Sequence, residues 1–154
     1  MEKKYEMPRD AREYMEKLAA RIRDEKVRTL FRTCYSGPLE TTIDRRADGS
    51  VFLYTGDIPA MWNRDSTQQL MPYLPLTAES EEMRGLVRGA LTAQLEMIGR
   101  DSYANSFNDA PVGHHYADTD TPRCGDWTWE QKYETDTLCY PMRLACLYYE
   151  HCGD

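Results

Sequence analysis

The chain has 154 residues, enough for one domain or a large piece of one. Hydrophobic residues make up 41% and charged ones 29%, an ordinary globular composition, and the formal net charge is -7. Lys and Arg are scattered among acids, which excludes the clustered cationic surface that nucleic acid needs. Apolar runs are a few residues long, far short of the ~20 that span a membrane. The start, Met1-Glu2-Lys3-Lys4-Tyr5-Glu6, has no apolar signal core. The chain reads as cytoplasmic, with neither nucleic acid nor membrane as a partner.

Residues 8–35 carry the clearest helical pattern. Ala11, Tyr14, Met15, Leu18, Ile22, Leu30 and Phe31 recur at three- and four-residue spacing, and Ser36-Gly37-Pro38 ends the run. A β-hairpin is expected near residues 40–55, where Thr41-Thr42-Ile43 and Val51-Phe52-Leu53-Tyr54 flank an Asp48-Gly49 turn. Residues 55–66 have no clean period and read as an ordered loop. A short helix then starts at Asp65 or Ser66, both good N-caps, and runs toward Pro72 and Pro75.

A further helix spans residues 80–100, with Met83, Leu86, Val87, Ala90, Leu91, Leu95 and Ile98 at helical spacing. From Asp101 to Trp129 the pattern dissolves into Asn, Asp, Gly, His and Pro. Loops of that length are usually functional or disordered, and its Tyr103, Phe107, Tyr116, Trp127 and Trp129 favour order. The last helix, residues 133–151, carries Leu138, Met142, Ala145 and Tyr149, with a kink expected at Pro141. Of the five cysteines, an odd number without a CxxC pair, Cys139 and Cys146 lie seven apart on one helix face and read as buried free thiols.

Trp62-Asn63-Arg64-Asp65 sets an indole, a guanidinium and a carboxylate side by side, with Asp57 a few residues upstream. Carboxylates and guanidinium groups hydrogen-bond sugar hydroxyls, while an aromatic face covers the C–H side of the ring. The plainer alternative is that Arg64 pairs with Asp65 and that Asp65 caps the helix. Asn105-Ser106-Phe107-Asn108 offers two amides around an aromatic, although loop Asn residues commonly close turns on their own backbone. Trp127 to Asp136 crowds carboxylates and aromatics at a helix start, with Glu130 and Glu134 expected on one face. His114, His115, Asp118 and Asp120 fit neither zinc nor EF-hand spacing, so no metal and no other cofactor is expected. No phosphate loop, GxSxG or HExxH is present.

Together these stretches resemble glycoside hydrolase family 125, the metal-independent exo-acting α-1,6-mannosidases. The resemblance is carried by Thr55-Gly56-Asp57-Ile58-Pro59-Ala60-Met61-Trp62, by Arg64-Asp65-Ser66, by Ala104-Asn105-Ser106-Phe107-Asn108, and by Lys132-Tyr133-Glu134 through Asp136 to Leu138-Cys139-Tyr140-Pro141. Asn63 stands where the family usually has Leu, and Ser106 where it has Ala. The resemblance implies a mainly α fold, the beginning of an (α/α)6 toroid. It makes residues 1–154 the N-terminal part of a single catalytic domain whose catalytic acid and base lie beyond Asp154. Mannose-containing oligosaccharides are the implied substrate, and the remainder of the domain the implied partner. Arg64 and Asp65 would hold hydroxyls of the terminal mannose, Asp57 and Trp62 would shape the pocket, and Asn105, Asn108, Glu134 and Asp136 would complete its wall. Two alternatives remain. One is a sugar-binding remnant without hydrolytic activity, the other an all-helical interaction domain whose acidic and aromatic loops are only structural.

Overall fold

A computed structural model describes residues 5–154, so the first four residues of the charged start lie outside it. The expected helix over residues 8–35 is two helices, α1 (Arg9–Ala19) and α2 (Glu25–Gly37). Asp24 causes the break: its carboxylate accepts the Val27 N–H at 3.0 Å and caps α2. Arg28 closes the turn, donating from Nε and Nη2 to the Ile22 carbonyl at 3.0 and 2.8 Å. The two helices fold back on each other, and Arg32 reaches Glu16 at 2.6 Å. In an unbroken helix those residues would stand about 24 Å apart. The break also shifts the helical phase, so Leu30, expected in the core, is exposed while Phe31 packs against it.

A turn over Pro38–Thr42 leads into the expected hairpin, β1 (Ile43–Arg45) and β2 (Val51–Leu53), with Ile43 opposite Leu53 and Arg45 opposite Val51. At its tip Gly49 takes φ +86°, a left-handed conformation that glycine adopts freely, and Asp48 accepts from Ser50 N–H at 2.8 Å. Every β2 side chain is buried because successive residues face two cores. Val51 and Leu53 enter the larger one, and Phe52 joins Met61, Ala93, Met97, Ala104 and Phe107 in the smaller.

The helix expected at Asp65 or Ser66 starts earlier, as α3 (Asn63–Leu70), and continues into a 3-10 turn over Met71–Leu76. Trp62 occupies its N-cap, so Asp65 lies within the first turn rather than capping it. Helix α4 (Glu81–Arg100) opens on Ser80, whose hydroxyl accepts the Met83 N–H at 3.2 Å. Near its end the inward position falls to Gln94, fully buried, while Leu95 is exposed. A three-stranded antiparallel sheet absent from the sequence reading joins the two irregular segments. Its strands are β3 (Met61–Trp62), β4 (Ser106–Phe107) and β5 (Thr128–Glu130), in that order, with an irregularity between β4 and β5. Strands of two or three residues carry no readable alternation.

Helix α5 (Thr135–Cys152) runs through Pro141 and ends at Gly153, whose left-handed φ of +69° closes it through a 2.8 Å bond to the Tyr149 carbonyl. Its buried face is Thr137, Pro141, Leu144 and Tyr148. Met142 and Tyr149, expected inside, are exposed, as are Cys139 and Cys146, expected as buried thiols. The helix is apolar on several faces, and among the described residues it packs on α3, α4 and the Met71–Leu76 turn. Among the described residues, no helix is long and apolar enough to cross a membrane.

Glycines on α4 separate two energetic effects. An alanine Cβ at Gly89 would stand 2.4 Å from the Gly49 carbonyl oxygen and 2.8 Å from Val51 Cγ2, whereas at Gly85 it meets open space. Gly85→Ala is expected to raise stability by about 0.5–1 kcal/mol through helix propensity. Gly89→Ala should lower it, because overpacking against backbone costs about 1–3 kcal/mol. Paired denaturant titrations check the opposite signs. Asn63 and Ser106 are fully buried, and neither Asn63 amide atom nor the Ser106 hydroxyl has a hydrogen-bond partner among the described residues. Asn63→Leu is expected to stabilise the chain by about 1–2 kcal/mol by removing a buried unsatisfied amide, read as a higher melting temperature.

Candidate functional site

Two helix starts meet at the surface, and one guanidinium and three carboxylates lie between them. Strand β3 delivers the chain into α3 so that Asn63, Ser66 and Thr67 turn inward while Arg64 and Asp65 remain half-buried. Across from them, Glu134 immediately precedes α5 and Asp136 lies in its first turn. The Arg64 guanidinium joins all three carboxylates. Nη1 donates to Glu134 Oε2 at 3.2 Å and to Asp136 Oδ2 at 3.1 Å, and Nη2 donates to Asp65 Oδ2 at 3.3 Å. Each of the four side chains retains between 36% and 40% of its exposure, so the cluster borders solvent.

The hydrogen bond to Asp136 raises the Arg64 pKa above the ordinary guanidinium value; partial burial opposes this, and the charges of Asp65, Asp136 and Glu134 reinforce it. Helix N-termini favour the negative charge of Asp65 and Asp136. With three carboxylates to one guanidinium, the cluster has a surplus of two negative charges and more acceptor positions than Arg64 can fill. Such a half-open set of charged acceptors and a planar donor suits a polyhydroxylated ligand, whose hydroxyls both donate and accept.

Segment 130–132 is fixed by a clasp that the sequence reading missed. Asn105, 1% exposed, donates to Glu130 Oε2 at 2.6 Å and accepts the Lys132 N–H at 3.3 Å. Lys132 Nζ closes on the other Glu130 oxygen at 2.5 Å. Glu130 sits in β5, so it does not share a helix face with Glu134 as expected. Asn108, also buried, donates to the His114 and Asp126 carbonyls at 2.9 and 3.1 Å and fastens the long loop on itself. His115 Nδ1 meets the Thr128 carbonyl at 3.0 Å and Asp120 accepts the Gln131 N–H at 2.8 Å, so both close this loop.

Asp57 is exposed and lines a cavity of about 440 Å³ with Tyr54, Asn108, Asp109 and His114. Tyr54 donates to Asp109 at 2.8 Å along that wall. Trp62 is half-buried, with its backbone N–H held by Thr55 Oγ1 at 3.0 Å. The structure thus gathers Arg64, Asp65, Glu134 and Asp136 into one cluster, places Asp57 and Asn108 at a cavity, and gives Asn105 to the Glu130 clasp.

Residues 24–154 match the family of metal-independent α-mannosidases (GH125). The meiotically up-regulated gene 157 protein of Schizosaccharomyces pombe is 33% identical over 151 residues, covering 91% of this chain and 30% of that protein. A metal-independent α-mannosidase of Streptococcus pneumoniae, solved in a non-productive complex with α-1,6-mannobiose, is 39% identical. It superposes with a TM-score of 0.89 over 96% of this chain and 35% of its own. The chain spans about a third of the length of these relatives. With the family match running from the cap of α2 to the last residue, the chain belongs to glycoside hydrolase family 125.

Proposed function

We propose that this chain forms the N-terminal part of one catalytic domain, that of an inverting exo-α-1,6-mannosidase, and that it supplies the wall that holds the terminal mannose. The convergence of Arg64 with Asp65, Glu134 and Asp136 carries the reading, since it offers mannose hydroxyls charged donors and acceptors on one surface. Asp57, Trp62, Asn105 and Asn108 shape and brace that wall. The S. pneumoniae relative, bound to α-1,6-mannobiose, supports the substrate class. In this reading the catalytic acid and base come from a segment outside these 154 residues, and together with the present helices that segment completes an (α/α)6 toroid. The acid protonates the glycosidic oxygen while the base activates water on the opposite ring face, the two carboxyls standing about 6.5–9.5 Å apart.

The uncovered faces of α5 support the same view. Met142 and Tyr149 are 64% and 65% exposed on a helix that is apolar on several sides, a pattern suited to burial on all of them. The remainder of the domain is the occupant that fits, because the relatives are about three times as long.

For a protein that contains this chain together with such a remainder, Arg64→Ala is expected to lower kcat/KM on α-1,6-mannobiose at least a hundredfold. That is about 3 kcal/mol, as for loss of charged hydrogen bonds. Arg64→Lys should recover little of it, because an ammonium lacks the planar fork. Unchanged kinetics in the folded Ala variant would remove the cluster from the site. Residues 1–154 alone are expected to self-associate in light scattering. Met142→Glu with Tyr149→Glu should shift them toward monomer, and a wild-type monomer would count against covered α5 faces.

A further inference from the structure

Helix α3 begins without the usual device. Trp62 at its N-cap offers no acceptor for the free N–H groups, and the Asn63 amide next to it bonds to nothing among the described residues. Something else must hold the turn that carries Arg64 and Asp65. The groups that do so belong to α4, 27 to 31 residues away in sequence. The Nε2 of Gln94 lies 2.7 Å from Ser66 Oγ, 3.1 Å from Thr67 Oγ1 and 3.4 Å from the Asn63 carbonyl oxygen. Ser66 Oγ in turn donates to that carbonyl at 3.3 Å. With the NH2 end of Gln94 toward α3, all three oxygens serve as acceptors. Gln94, Asn63, Ser66 and Thr67 are all fully buried, where water does not compete and such bonds are strongest.

We propose that Gln94 is the positioning residue of the Arg64 cluster: it pins the first turn of α3 from behind and so sets where the guanidinium meets the three carboxylates. The inward residues it grips, Asn63, Ser66 and Thr67, bracket Arg64 and Asp65 in sequence, so a rotation or slip of that turn moves the outward pair with it. Arg64 must reach Asp65 on its own helix and Glu134 and Asp136 at α5 together, and a small displacement would break the arrangement. Its consequence for sugar binding rests on the mannose-binding role proposed above; the positioning itself does not.

The test uses the 15N-labelled chain, with Gln94→Met as a variant of similar length and no donor. The side-chain guanidinium resonances of Arg64 report its ion pairing, and those of Arg32, which pairs with Glu16 between α1 and α2, serve as the internal control. In the folded variant the Arg64 resonances are expected to move to the position of unpaired arginine while those of Arg32 stay in place. In a protein that contains this chain together with the remainder of the domain, the affinity for α-1,6-mannobiose is expected to fall about tenfold, the scale of one or two lost hydrogen bonds. Should Gln94→Met fail to fold, Ser66→Ala and Thr67→Val, each removing one acceptor, are expected to move the Arg64 resonances part of the way. Arg64 resonances that stay at the wild-type position in any folded variant lacking these bonds overturn the proposal. Displaced Arg64 resonances together with an unchanged mannobiose affinity in the protein that carries the remainder of the domain uphold the role of Gln94 and sink the sugar-binding reading instead.

Discussion

The burial of α4 constrains nearly everything else in the chain. Its inward face runs from Met83 to Met97 and contributes to both cores, Met83, Leu86, Val87, Ala90 and Leu91 to the larger and Ala93 and Met97 to the smaller. The hairpin, α3 and α5 each reach the helix by a specific fit. The hairpin lies so close that Gly89 has no room for a methyl group beside Gly49 and Val51. Helix α3 is tied on by Gln94, and α5 leans on the first half of α4, where the Tyr148 hydroxyl reaches toward the Arg84 carbonyl. An interior of this kind transmits displacement instead of absorbing it, because packed side chains have few alternative positions. The geometry of the surface cluster is therefore a property of the core beneath it.

The sequence made long periodic elements readable and left short ones hidden. Helix α4, helix α5 and the Asp48-Gly49 hairpin appear nearly where spacing and turn chemistry put them. The break between α1 and α2 was masked because apolar residues on both sides of Asp24 happen to continue one helical period; the capping bond to Val27 decides it. The sheet of β3, β4 and β5 escaped because two-residue strands have no alternation to detect. The α5 face was misassigned for a different reason. Cys139, Met142, Cys146 and Tyr149 form a plausible apolar stripe, and only tertiary packing selects Thr137, Pro141, Leu144 and Tyr148 instead.

The candidate site was partly legible. Trp62, Arg64 and Asp65 stand out locally, and the pairing of Arg64 with Asp65 is the short-range contact the sequence itself suggests. The meeting with Glu134 and Asp136, some 70 residues on, has no local signal. It depends on where α3 and α5 dock, and the resemblance to the family pointed to it where spacing could not. Gln94 was hidden by the hydrophobic pattern itself, which credits Leu95 with the inward position and treats a neighbouring amide as surface. A polar residue fully buried on an otherwise apolar helix face marks what it holds, once the partners are visible.

The long loop after α4 is bound into the same arrangement from the other side. Strands β4 and β5 bring Asn105 beside Glu130, and a buried carboxylate there would be costly without the amide and ammonium that meet its two oxygens. With that carboxylate satisfied, residues 130–132 are fixed only two positions before Glu134 and the start of α5. Arg64 is thus approached by two independently braced segments, α3 held by Gln94 and the α5 start held by the Glu130 clasp. Neither brace touches the guanidinium. An isolated ion pair at this exposure contributes about 0–1 kcal/mol and would wander among rotamers. Three carboxylates set around one arginine on anchored backbone keep their directions with little further loss of entropy, which is the condition for recognising a ligand by the angle of its hydroxyls.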